Sequence, residues 1–167
     1  GDKIQIALDD GIVCEAEIIN VSDNVVKIKC LQILAEPHEA EVSVVLAQGL
    51  AKGDKMDFVV QKAVELGVTG IVPLALAHSV VQLTGERAEK RVQRWRKIAI
   101  GAAEQSKRDK VPFVADIQNL FTVMQGDYDL ILLAYEGETK VSLKMVLQNS
   151  TAKKILLIIG PEGGMSE

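Results

Sequence analysis

Residues 156–167 read LLIIGPEGGMSE. Four consecutive apolar residues, Leu156 to Ile159, mark a strand buried on both faces, because a strand with one wet face alternates instead. The run empties into Gly160, Pro161, Glu162, Gly163 and Gly164. Glycine lets a ligand approach the main chain with no Cβ in the way. A turn of this composition, at the C-terminal end of a parallel strand, stands where open α/β sheets take their ligands. A plain tight turn is the alternative reading of these residues taken alone. They lack the Gly-Lys-Ser/Thr of a P-loop and the spacing of a dinucleotide fingerprint, which disfavours phosphate cradling.

Working backward, the same strand-and-helix alternation recurs. Val42 to Ala47 is a short apolar run, and Asp54 to Leu66 has helical spacing through Met56, Val59, Val60, Ala63 and Val64, closed by Gly67. Strands are predicted over Gly70 to Leu74, Phe113 to Asp116, Leu130 to Ala134 and Ile155 to Ile159. Helices are predicted over about Glu86 to Lys107, near Leu120 to Gln125 and near Ser142 to Gln148. Repeated units of this kind with continuous apolar strands predict an α/β fold, a parallel sheet with helices on both faces. No glycine-rich turn follows the first strand at Ala47, where a Rossmann-type fold would place one.

The first third differs. Lys3 to Leu8, Ile12 to Val21 and Val25 to Leu34 are rich in Ile and Val and are separated by Asp10-Gly11 and Ser22-Asp23-Asn24, which predicts an antiparallel meander. Three such strands are marginal alone, so they should complete a barrel with further chain or pack on the remainder. Glu36 to Glu39 reads as the linker.

No apolar run approaches the roughly 20 residues of a membrane span, and the first residues show no basic n-region or cleavage-like segment of a signal or transit peptide. A cytoplasmic protein without membrane contact is the expectation. Cys14 and Cys30 have no metal-ligand spacing and read as reduced strand residues. With His38 and His78 the only histidines, no metal site is expected.

The net charge of -4 argues against a nucleic-acid partner, but the distribution argues for one. Between Glu86 and Lys110, nine basic residues face four acidic ones, a local excess of five positive charges, so the remainder carries nine negative charges. On the long helix, Ala88, Val92, Trp95, Ala99, Ala102 and Ser106 project to one side, and Arg87, Lys90, Arg94, Lys97 and Arg108 to the other. The first set is core. The second is either a solvated face or a surface that tracks phosphates.

Four blocks now fall in a common order and spacing: Lys52 to Phe58; Gln61 to Val68, with Lys62-Ala63-Val64-Glu65-Leu66-Gly67 inside it; Ala103 to Arg108 with Val111-Pro112; and Ile159 to Ser166. Over nearly the whole chain they resemble the RsmE-type ribosomal RNA uridine N3-methyltransferases of the trefoil-knotted SPOUT superfamily. The resemblance implies part of a PUA-like RNA-binding barrel over residues 1–36 and a SPOUT methyltransferase domain over 41–167. It also implies S-adenosylmethionine as cofactor, ribosomal RNA or the small ribosomal subunit as partner, and a homodimer that completes the site. Gly160, Pro161, Glu162, Gly163 and Gly164 would form one cofactor loop and Ala134, Tyr135 and Glu136 another. Glu104, Gln105 and Arg108, read as one turn of helix, would face the substrate, Arg108 stabilising charge on the base and Glu104 accepting its proton. Arg87, Lys90, Arg94 and Lys97 would add RNA contacts. Lys62 and Glu65 are either a surface ion pair or part of the site.

Two departures stand out. Ala77 and His78 occupy positions where the family carries an acidic residue and then Arg, and His cannot replace a bidentate clamp. The family also continues past Ser166 into a helix and a knot-closing segment, which this sequence does not contain. Another SPOUT enzyme acting on a different RNA, or a non-catalytic RNA-binding module, remains the alternative.

Overall fold

A computed structural model describes residues 1–8, 12–34, 39–76 and 85–161. The Asp10-Gly11 turn, His38, the Ala77-His78 departure and Glu162 to Gly164 lie outside them. Three strands, β1 (Lys3–Ala7), β2 (Val13–Ser22) and β3 (Val25–Leu34), form an antiparallel sheet in the order β1-β2-β3. This is the expected meander. Two register shifts interrupt β2 against β3, between Glu15 and Ala16 and between Ile18 and Asn20. By bringing Cys30 opposite Ala16, the pairing sets the Cys14 and Cys30 thiols within hydrogen-bonding reach, and that contact with burial raises the Cys14 pKa.

The chain then builds five parallel strands: β4 (Ser43–Gly49), β5 (Gly70–Leu74), β6 (Phe113–Val114), β7 (Leu130–Ala134) and β8 (Lys154–Ile159). Their order is β6-β5-β4-β8-β7. From the central β4 the chain goes first to one side and later crosses to the other, so the sheet reverses its winding between β4 and β8. Helices α1 (Lys55–Glu65), α2 (Gly85–Gln105), α3 (Leu120–Met124) and α4 (Leu143–Gln148) make the connections.

Residues alternate across the sheet and feed two cores. On one face Leu46, Ile71 and Val114 meet Met56 and Val60 of α1 and Val92, Trp95 and Ala99 of α2. On the other, Val45, Ala47, Val72, Leu156 and Ile158 meet Val123 of α3. The predicted apolar stripe of α2 is thus the buried one, and helices lie on both faces. Asp57 of α1 joins the two long helices: it accepts from Arg94 Nε at 2.7 Å and from the buried Trp95 Nε1 at 3.0 Å.

The helix ends bear out one prediction and correct another. Gly67, at φ 98°, ends α1, and the Val68 and Gly67 amides return to the Ala63 and Val64 carbonyls, as a left-handed residue after a helix allows. Helix α2 ends at Gln105 rather than Lys107, because Lys107 adopts φ 55° and the Lys107 and Arg108 amides return to Glu104 and Ala103. Arg108 therefore lies beyond the helix and does not continue its cationic face. No helix of the described residues is long and apolar enough to cross a membrane, and they contain no cluster of three or more His, Cys, Asp or Glu side chains fit for a metal ion.

Two substitutions check this packing. Asp57→Ala leaves a buried indole donor unpaired and is expected to cost about 1 to 3 kcal/mol in urea unfolding. Lys107→Gly removes left-handed strain and is expected to raise stability by about 1 kcal/mol in the same assay.

Candidate active site

Parallel strands bring all their carboxyl ends to one edge. Ala134 pairs with Ile159 across β7 and β8, so Tyr135-Glu136 and Gly160-Pro161 leave the sheet side by side. These are the described members of the two expected cofactor loops, and the sheet places them together. Next to them a cleft of about 680 Å³ opens between the end of β7 and α4, walled by Leu132, Leu133, Val141, Leu143 and Leu157, with Tyr135 and Glu136 at its rim. Tyr135 is half exposed. Glu138 serves its own turn: its carboxylate accepts from the Lys140 amide at 2.6 Å and the Val141 amide at 3.0 Å, and those bonds hold its pKa below the ordinary value. Apolar walls, one aromatic ring and open main chain suit a flat heteroaromatic ligand with a polar tail.

The expected substrate block stands at the opposite edge. Helix α2 runs back along the sheet, and Arg108 donates to the Val64 carbonyl at 3.2 Å and the Val68 carbonyl at 2.6 Å, just before β5 begins. Its remaining donors form a two-pronged ion pair with Glu39. The Arg108 side chain is only 8% exposed and that of Glu39 16%. The guanidinium thus ties α1 and the turn beyond it to residue 39, contacts that the sequence reading did not anticipate. Glu104 and Gln105 are exposed near it. A shallow groove there is lined by Gln5 to Leu8 of the small sheet, Glu104 and Arg108.

The cationic face is partly neutralised from within. Arg94 bonds Asp57, which raises the Arg94 pKa, and Lys90 lies 3.4 Å from Glu86. Arg87, Lys90 and Lys97 remain exposed, and Lys90, Arg94 and Lys97 border one surface groove with Glu89 and Gln93. Arg96, in the same basic run, instead bonds the Val114 carbonyl at 2.9 Å and Asp116. Lys62 and Glu65 form the i,i+3 pair, at 2.7 Å.

A five-stranded parallel sheet with a cleft at its carboxyl edge and a basic helix on one face defines the class: an open α/β fold of the kind that takes ligands at that edge. Residues 38–167 match the RNA methyltransferase domain family. The Bacillus subtilis (strain 168) ribosomal RNA small subunit methyltransferase E is 38% identical across the whole of this chain, and a Buchnera aphidicola relative of the same name is 29% identical. This chain covers 68% and 64% of those two proteins, about two thirds of their length. Among solved structures, the ribosomal RNA small subunit methyltransferase E of Neisseria gonorrhoeae bound to S-adenosyl methionine superposes with a TM-score of 0.76 at 30% identity, covering 99% of this chain and 68% of that one. A Legionella pneumophila structure with bound SAM gives 0.82 at 30% identity, with 100% and 68% covered. The chain belongs to the RNA methyltransferase family, in its ribosomal RNA small subunit methyltransferase E branch.

The Glu39 to Arg108 tie makes a pH-dependent prediction. Burial by itself raises the Glu39 pKa, but the hydrogen bonds and charge of Arg108 and the Lys110 and Asp109 amides outweigh it and leave the pKa below its ordinary 4.5. A depressed carboxylate stabilises the fold above its unfolded value and loses that contribution as pH falls through the folded one. Glu39→Gln is expected to cost about 3 kcal/mol at pH 7. In urea unfolding at a series of pH values, the gap between the two proteins should be constant above pH 4.5 and shrink progressively below it.

Proposed function

We propose that this chain carries the methyl-donor edge of an S-adenosylmethionine-dependent enzyme that methylates N3 of a uridine in small-subunit ribosomal RNA. The observation that carries the reading is the joint exit of Tyr135-Glu136 and Gly160-Pro161 beside an apolar cleft, in a chain of the RNA methyltransferase family. The residues present suit the donor. Tyr135 and the aliphatic walls offer a stacking surface for an adenine, Glu136 a carboxylate for hydroxyl groups or a cation, and the Ala134 and Gly160 main chain hydrogen-bonding groups. Glu162, Gly163 and Gly164, which follow Pro161 in the sequence, are assigned to the donor with it. When bound, S-adenosylmethionine supplies an electrophilic methyl group.

The protein's task is then chiefly positioning, which can lower a barrier by about 7 to 11 kcal/mol when donor and acceptor are held in line. Uracil N3 lies on the Watson-Crick edge, so the base must be unpaired or extruded, and its proton must leave. Arg108 takes no part in this reading, being committed to Glu39. Glu104 stands at the far edge of the sheet, about 15 Å away over five residues of strand. A role for it as proton acceptor therefore belongs to a homodimer, in which a second copy completes the site. Residues 1–36, as part of a PUA-like barrel, and Arg87, Lys90, Arg94 and Lys97 would grip RNA, the full chain would close a trefoil knot in the 41–167 domain, and the enzyme would work in the cytoplasm.

Full-length protein incubated with unmodified small subunits and S-adenosylmethionine should stop reverse transcriptase at one uridine, and mass spectrometry should identify 3-methyluridine there. Absence of that nucleoside beside another methylated one would move the reading to a different RNA methylation. Charge reversal by Lys90→Glu or Lys97→Glu should weaken RNA binding and reduce the slope of log affinity against log salt by about 1 for each lost phosphate contact. An unchanged slope would assign those residues to a merely solvated face.

A further inference from the structure

The reversal point of the sheet lies between β4 and β8, where Gln48 stands opposite Ile159. Gln48 is a polar side chain only 6% exposed, an unusual occupant of a central strand directly after the apolar run Val44 to Ala47. Its carboxamide nitrogen donates to the Gly160 carbonyl at 3.3 Å and to the Gly49 carbonyl at 3.1 Å. It thus joins the two main chains at the point where they leave the sheet.

Gly49 adds a steric condition. A Cβ there would sit 2.5 Å from the Pro161 nitrogen and 2.8 Å from both Pro161 Cδ and the Gly160 carbonyl carbon. Those neighbours are backbone and a closed ring, which cannot rotate away. Pro161 is itself buried against this contact. Glycine is required at 49 for space, so that the turn after β8 can lie directly on the end of β4.

We propose that Gln48 and Gly49 are positioning residues for the methyl-donor turn: Gly49 sets how closely Gly160-Pro161 approaches the central strand, and the Gln48 amide fixes the direction of the Gly160 carbonyl. This deepens the reading given above and rests on it, since it assigns to β4 the placing of a turn that the reading gives to the cofactor. Neither residue touches the cofactor cleft, whose lining comes from β7, β8 and the segment through α4. Their effect is transmitted through the turn.

The test uses full-length protein and three substitutions. Gln48→Glu keeps the size and removes the donor, Gln48→Leu keeps bulk without polarity, and Gly49→Ala adds the single atom that the turn cannot accommodate. S-adenosylmethionine affinity by calorimetry is expected to fall by roughly tenfold to a hundredfold in each, as for a displacement on the order of 1 Å. The KM for S-adenosylmethionine should rise with it, while the KM for ribosomal subunits stays unchanged. Amide hydrogen exchange of the peptide covering residues 156–167, without ligand, should speed up. A general loss of folding would instead lower kcat through the active fraction and leave the affinity of the folded molecules intact. If Gly49→Ala does not fold, the two Gln48 variants decide. Unchanged affinity and unchanged exchange in the variants that fold would overturn the proposal. If the wild type binds no S-adenosylmethionine, the methyl-donor reading fails, and the exchange rate of the same peptide still decides whether Gln48 and Gly49 hold the turn.

Discussion

The common direction of five strands is the constraint on which the rest of this molecule depends. Because β4 pairs in parallel with both β5 and β8, every carboxyl end lies on one edge and every returning helix must run back to the other. At the first edge the main chain leaves the sheet, partly paired, as where the Leu50 amide meets the Leu74 carbonyl and Gln48 meets the Gly160 carbonyl. At the second edge, helix ends and strand starts meet and satisfy one another. The two edges therefore have different chemistry before any particular side chain is considered.

Arg108 shows the consequence. A conspicuous cation at the end of a basic helix invites a role in charge stabilisation. Its surroundings make it a joint: the Val64 carbonyl in the last turn of α1 and the Val68 carbonyl just beyond it accept from its guanidinium, and the linker delivers a carboxylate at Glu39 to the rest of the fork. The same joint holds the chain that arrives from the antiparallel sheet. By contrast, Ala134 and Gly160, at the carboxyl edge, carry no ionisable side chain, and only their main chain is polar there.

The fold was legible from the sequence to a large degree, and for a stated reason. Gly70–Leu74 has the predicted bounds because a continuous apolar run is buried on both faces, Leu130–Ala134 keeps its predicted bounds as an edge strand that leaves Ile131 and Leu133 exposed, and Ser142 caps α4 by accepting from the Met145 amide. Local chemistry failed at the end of α2. Nothing in Ser106-Lys107-Arg108 signals a left-handed lysine, so the helical projection was carried two residues too far and gave Arg108 the wrong face. Long-range pairs were equally hidden. Glu39 with Arg108, Asp57 with Trp95, and Gln48 with Gly160 are 69, 38 and 112 residues apart, and a single sequence carries no trace of the first two. An isolated Gln inside an apolar strand was the one available sign of the last, since a buried amide demands partners.

The central claim is that the ligand edge of the sheet, and not the Glu104 to Arg108 edge, receives the methyl donor. Photo-crosslinking of radiolabelled S-adenosylmethionine to the full-length protein, followed by mass-spectrometric mapping, tests it directly. Label in the peptides containing Ala134 to Glu136 and Gly160 to Gly164 is the predicted result. Label confined to the peptide containing Glu104 to Arg108 would contradict it.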